Sequence, residues 1–245
     1  METALARTNR RAHYQVTYLV LLLGITGYSL LQSLVLPVLP TIQHSLHTSQ
    51  ATVTWVLTAY LLAASVFTPI LGRIGDMVGK ERTFVVALGA LGVGSLLAAL
   101  APSIGVLIVA RAIQGIGGGV LPLAFGIIRD EFPEEKISSA IGSAAALSAV
   151  GSGIGIVLGG PIIGALDYHW LFWIPMIMVI VAGVAAHLLI PESLTRVPAK
   201  INWGAAILLS GWLVALLLAV SEGPTWGWGS VRVLGLFGIA AVVGV

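Results

Sequence analysis

The chain has 245 residues, of which 12 are Lys or Arg and 10 are Asp or Glu; charged residues make up 9% and hydrophobic residues 58%. A soluble domain is about 25% charged and about 45–50% apolar, so this chain has too few charges to cover a water-facing surface, and the solvent of most of it is lipid. Cysteine is absent, which excludes a disulfide framework, thiolate metal sites and a cysteine nucleophile; the net charge of +2 is scattered over loops rather than gathered into a patch for nucleic acid.

From Tyr14 to Gly72 there is no Asp, Glu, Lys or Arg. A polar stretch, Pro40–Thr52, divides this run into Val16–Leu39 and Val53–Leu71. Further apolar runs follow at Thr83–Ala101, Ile104–Ile128, Ser138–Leu166, Trp170–Ile190 and Trp203–Val220, and an eighth starts near Val231. Each complete run approaches or exceeds the roughly 20 residues that carry a helix across hydrocarbon. None alternates like the strands of a membrane barrel, about 10 residues each. The fold class expected is an all-α polytopic membrane protein. The basic start (Arg7, Arg10, Arg11) before the first run resembles a signal peptide, but the run is too long and lacks a small-residue cleavage site, so it reads as a span.

Ten of the 12 Lys and Arg residues fall in alternate connections: the N-terminal tail, the loops around Asp76 and Glu134, and the loop after Ile190. The exceptions are Arg232, at the edge of the last run, and Arg111, inside a span. The positive-inside rule then places the N-terminus in the cytoplasm. The expected division is a cytoplasmic tail (1–15), a six-span bundle (16–190), a cytoplasmic loop (191–202), and a seventh span with the start of an eighth (203–245). The last run is still apolar at Val245, the expectation for the N-terminal part of a longer protein.

No catalytic pattern is present. Gly79-Lys80 is not a phosphate loop, because Ile74 occupies the first glycine position and Glu81 the Ser/Thr position. The five His residues are scattered, so neither a metal nor another cofactor is expected, and the chain does not read as an enzyme.

Several positions stand out. In the second connection, Gly72 and Gly79 permit a tight turn, and Asp76 lies among Arg73, Lys80 and Arg82, where it can cap the next helix or pair with Arg73 or Arg82. Arg111 lies about two turns into the fourth run. A charge there costs at least about 2.5–3.5 kcal/mol on insertion scales and faces a cavity or a partner unless it snorkels to the interface. Gln114, Gly115 and Gly118 follow on the same helical face. In the fifth run Gly151, Gly155 and Gly159 form one four-residue ladder and Gly160 and Gly164 another, with Pro161 favouring a kink; small residues of this kind let membrane helices approach closely. Tyr28, Trp55 and Tyr60 are candidates to line a cavity, whereas Trp170, Trp173, Trp203, Trp226 and Trp228 suit interfacial anchors.

The second connection resembles the G-x-x-x-D-x-x-G-[RK] signature of the major facilitator superfamily. Arg111-Ala112-Ile113-Gln114-Gly115 resembles that family's R-x-x-Q-G, and Gly151 to Gly164, with Gly160-Pro161-Ile162-Ile163-Gly164, its antiporter motif G-P-x-x-G. Trp55 to Leu61 and Trp226-Gly227-Trp228 are similar to its fourteen-span drug:proton antiporter branch. The resemblance implies an N-terminal six-helix bundle of two inverted three-helix repeats plus two further spans. It implies substrate or proton coupling at Arg111 and Gln114, with Gln32, Tyr28, Trp55 and Tyr60 nearby, a gating loop at Gly72–Arg82, and a glycine seam between the two halves of the transporter. Two departures stand out: Leu31, beside Gln32, occupies the place of a first-span Asp, and Met77 and Glu81 occupy places where bases are common.

The function implied is export of amphipathic small molecules by alternating access, coupled to protons, in a cell membrane. Expected partners are a small-molecule substrate, protons, the lipid bilayer and a C-terminal half of the same transporter, with no nucleic acid. The alternatives are facilitated or proton-coupled uptake of a polar solute on the same fold, and a non-transporting receptor or assembly subunit.

Overall fold

The computed structural model describes residues 2–191 and 203–243. Among them there are only helices: α1 Glu2–Ser33, α2 Leu39–Ser45, α3 Gln50–Val78, α4 Lys80–Ala99, α5 Ile104–Ile116, α6 Val120–Glu131, α7 Glu134–Ala165, α8 Trp170–Leu189, α9 Trp203–Trp226 and α10 Val231–Val243, with short 3-10 turns at Leu36–Val38 and Gly117–Gly119. Seven helical stretches are long and apolar enough to cross a membrane, the first being Tyr14–Ser45 and the fourth Ile104–Glu131. They are the first seven runs of the sequence. The eighth is the shorter apolar helix Val231–Val243.

The boundaries differ in three places. Helix extends back from the first span to Glu2, and the part apolar enough to cross a membrane begins at Tyr14. The polar stretch Pro40–Thr52 is not a loop throughout: Pro37 and Pro40 each occupy an early position of a short helix, where the missing N–H costs nothing, and helix persists to Ser45. The next helix then starts at a capped residue, with Ser49 accepting from the Thr52 backbone N–H at 3.1 Å. The seventh span runs on to Trp226 rather than stopping at Val220, which brings Glu222 inside an apolar helix, where it is buried. The expected loop 191–202, with Arg196 and Lys200, lies beyond Pro191 outside the described residues.

The first six spans run antiparallel through short connections, as do α9 and α10. One end of the bundle gathers the bases (Lys80, Arg82, Arg129, Lys136); the other carries the turns at 46–49, 100–103, 166–169 and 227–230. We call these the basic and the neutral end. α4 packs on α5 and α8, α1 on α7 and α8, α3 on α5, and α9 on α10 and α3. The core is aliphatic and aromatic, centred on residues such as Leu21, Ile25, Phe84, Leu91, Leu107 and Phe172. α9 is tied to α3 by a Thr58–Ser221 hydroxyl pair at 2.9 Å. Trp173 packs against the core rather than serving as an anchor, whereas Trp170, Trp226 and Trp228 are exposed.

Candidate functional site

Arg111 is completely buried, the largest side chain in the bundle that is; it does not snorkel. Small residues make room for it. A Cβ on Gly115 would come within 2.6 Å of the Tyr60 carbonyl on α3, and one on Gly94 within 2.6 Å of Gln114 Cγ, so α3 and α4 press on α5 as only glycine permits. Gly118 adds a third such contact, against Thr68 and Ala64 of α3. The span then tightens into the 3-10 turn Gly117–Gly119 before resuming as α6.

The guanidinium is held by neutral acceptors. Nε donates to the Val56 carbonyl at 3.2 Å, and Nη1 donates to the Leu31 carbonyl at 3.2 Å and to Gln114 Oε1 at 2.7 Å. Its carbon lies 4.3 Å from the centre of the Tyr60 ring. Gln114 is fixed in turn, its Nε2 donating to Ser95 Oγ at 2.9 Å, while Ser95 donates to the Leu91 carbonyl at 2.6 Å. Hydrogen bonds to a charged group are worth about 1.5–3 kcal/mol each. Three of them, with a ring face, offset the insertion cost of a few kcal/mol. They do not complete the site. Arg111 Nη2 and Tyr60 Oη are buried and have no hydrogen-bond partner, and among the described residues Arg111 forms no salt bridge. Two N–H donors and a phenol in a buried site suit an anionic oxygen or a polar oxygen acceptor.

The sequence-derived candidates divide around this centre. Gln114 and Tyr60 touch Arg111, and α1 reaches it through the Leu31 carbonyl. Tyr28, one turn earlier, is buried and Trp55 half-buried. Gln32 is exposed, on the side of α1 away from the buried Leu31, so it does not join the cluster. Ser95 was not anticipated. Its signal is that it is the one hydroxyl between Phe84 and Leu100 in an otherwise apolar span.

The gating segment is mostly helix. α3 runs to Val78, and Gly79 alone makes the turn, at φ +129°, where a side chain is strained and a Cβ would lie 2.6 Å from Glu81 Oε1. Asp76 neither caps α4, which begins without a side-chain cap, nor pairs with Arg73 or Arg82; its partner is Lys80, one turn on, at 3.8 Å. Lys80 also donates to both carboxylate oxygens of Asp130 at the end of α6, at 3.1 and 2.9 Å. Asp130 is the missed member of this cluster. Arg73 and Arg82 are exposed, and a Cβ on Gly72 would meet nothing within 4 Å.

The glycine ladders of α7 face opposite ways. Gly151, Gly155 and Gly159 are buried against Ser29, Ser33, Leu34 and Pro37 of α1 and the turn after it. That row is a contact within the bundle, because α1 passes over it and a Ser29–Ser148 hydroxyl pair at 2.8 Å clamps it. Gly160, Pro161 and Gly164 are exposed, and a Cβ on either glycine would meet nothing within 4 Å. Only this second row lies open to a further element.

At the neutral end Tyr168 is buried beside Asp167, and loss of solvation followed by the nearby carboxylate raises its phenol above the ordinary value. It has no contact with the Arg111 cluster.

The family model described as Major Facilitator Superfamily matches residues 21–245. The chain belongs to the Major Facilitator Superfamily. Among curated members, the chain is 38% identical over 193 residues to "Multidrug resistance protein 3" of Bacillus subtilis, covering 77% of this chain and 37% of that protein. It is 30% identical over 228 residues to the "Tetracenomycin C resistance and export protein" of Streptomyces glaucescens, covering 92% and 42%. The chain thus spans about two fifths of the length of these relatives. Solved transporter structures share its fold: the human organic anion transporter MFSD10 (TETRAN) superposes with a TM-score of 0.65 at 18% identity over 85% of this chain and 56% of that one. The transporter PepTSo gives 0.62 at 18% identity over 94% and 52%.

Proposed function

We propose that this chain is the N-terminal part of an efflux transporter that exports amphipathic small molecules by alternating access, in exchange for protons. The observation that carries this reading is the buried Arg111 with its free Nη2 edge: a fixed positive charge at membrane depth, held in place by the bundle and, among the described residues, left without an acid to neutralise it. The names of the two curated relatives, a multidrug resistance protein and a resistance and export protein, favour export over uptake.

The second bundle of a transporter would rock against this one around a midplane site. In this reading the open row of Gly160, Pro161 and Gly164 seats it and Asp76 pairs across to it in one access state. The basic end faces the cytoplasm of a cell membrane.

Arginine does not deprotonate in proteins, so the proton must ride on a carboxylate, which we assign to the second bundle opposite Arg111 Nη2. The test is dye efflux from everted vesicles under a pH gradient, with each intramembrane acid following Val245 neutralised in turn. One such variant uncouples transport from the gradient. If Glu222→Gln does so instead, the proton site lies in α9; if every variant, Glu222→Gln included, stays coupled, proton antiport is wrong and facilitated diffusion takes its place.

A further inference from the structure

Two of the three acceptors around the Arg111 guanidinium are main-chain carbonyls, of Val56 on α3 and Leu31 on α1. The third is Gln114 Oε1, at 2.7 Å, and a carboxamide can present either its oxygen or its NH2 group. Ser95 on α4 removes that freedom. Its hydroxyl has one proton, donated to the Leu91 carbonyl one turn back at 2.6 Å. The Ser95 oxygen can then only accept, and it takes an N–H of Gln114 Nε2 at 2.9 Å. Turned over, the amide would set oxygen against oxygen at Ser95 and donor against donor at Arg111. Both ends of the amide reject the reversed orientation. Ser95 and Gln114 are completely buried, so bulk solvent reaches neither.

We propose that Ser95 is the positioning residue of the Arg111 site: it holds the Gln114 carboxamide oxygen toward the guanidinium, and so sets which edge of Arg111 is left free for a partner. The functional part of this rests on the reading of Arg111 as the coupling charge.

The donor count shows what is at stake. A guanidinium carries five N–H groups. That of Nε goes to Val56, and the two of Nη1 go to Leu31 and Gln114. Both unused donors are therefore on Nη2, which meets no hydrogen-bond partner. The Tyr60 ring, 4.3 Å from the guanidinium carbon, limits its tilt, and the acceptors limit its rotation in plane. Gln114 is the only side chain among those acceptors. Once its oxygen is released, Nη1 keeps a single acceptor and the free edge no longer has one direction. The packing of α4 on α5 brings Ser95 to this task. A Cβ on Gly94 would lie 2.8 Å from the Ala110 carbonyl, and one on Gly117 would overlap the side chain of Leu91. Ser95 makes the one hydrogen bond from α4 to the cluster among the described residues.

The test compares Ser95→Ala, Ser95→Val and Ser95→Thr in the full-length transporter. Val and Thr add the same bulk and differ in the hydroxyl. The first readout is the 15N spectrum of the Arg111 guanidinium in nanodiscs, assigned as the signals missing from Arg111→Lys. The unmodified protein and Ser95→Thr should show separate Nη1 and Nη2 signals, because the held group rotates slowly. In Ser95→Ala and Ser95→Val the two should merge. The second readout is dye efflux from vesicles against pH. Efflux should fall about fivefold in Ser95→Ala and Ser95→Val, the worth of one neutral hydrogen bond, and Ser95→Thr should restore it. The pH of half-maximal efflux should move upward in the same two variants, since a cation held less well favours the neutral form of a facing carboxyl. Separate signals in both Ser95→Ala and Ser95→Val overturn the proposal. So does an equal loss of efflux in Ser95→Thr and Ser95→Val, which would make bulk rather than the hydroxyl the cause. Merged signals with an unmoved pH midpoint uphold the positioning of Arg111 and count against proton coupling at that charge.

Discussion

Arg111 and Lys80 are both cations that reach across helices of one bundle, and they are held in opposite ways. Lys80, at the watery basic end, is bracketed by two carboxylates, Asp130 at 2.9 Å and Asp76 at 3.8 Å. Arg111, fully buried, is held by carbonyls, an amide and a ring face, and no acid reaches it among the described residues. Neutral acceptors orient a charge without cancelling it. At these two sites, therefore, one charge is closed where water already screens it and the other is left open where its field is strongest.

The contrast can be broken at the basic end first. If Lys80 and Asp130 form the static pair and Asp76 is the acid that changes partners, Asp76→Asn lowers dye efflux by about tenfold or more, about 1.4 kcal/mol, with abundance unchanged. Normal efflux makes Asp76 a solvated charge. Next, the two faces of α7 separate packing from exchange. Gly159→Leu overpacks α1 and costs about 1–3 kcal/mol of stability, seen as a lower melting temperature in detergent. Gly160→Leu leaves the melting temperature within error and impairs exchange or leaks protons. Equal melting temperatures for the two would mean that the ladders do not face apart. The smallest effect belongs to Lys80→Met. Its ion pair is partly screened by solvent, so the loss of stability is about 1 kcal/mol or less; a larger loss would mean that the basic-end cluster behaves like a buried one.

The spans were legible because lipid demands long apolar helices, and no other element satisfies the backbone there. Arg111 was legible for the same reason: a lone charge in a span has to be held. What held it was not legible, because backbone carbonyls of Val56 and Leu31 leave no mark on a residue pattern. The partner of Asp76 is not legible while the loop is read as starting at Gly72. With α3 helical to Val78, residue 80 is the one that comes within reach. The glycine ladders read as one seam because a period of four cannot say which neighbour each row meets; rows starting at 151 and 160 share a helix but not a face. Gln32 was grouped with Leu31 by adjacency, and adjacent helical residues point about 100° apart.

The most direct test is proton-driven dye efflux from vesicles carrying the full-length protein with Arg111→Lys or Arg111→Gln, compared at equal abundance with Lys80→Gln. Lysine cannot span the Val56, Leu31 and Gln114 acceptors at once, and glutamine removes the charge. Both Arg111 variants should lose about 100-fold or more of their transport, as expected for about 3 kcal/mol, while Lys80→Gln stays within a fewfold of the unmodified protein. Efflux at the normal rate from Arg111→Gln would contradict the account, because the buried charge would then be scaffolding alone.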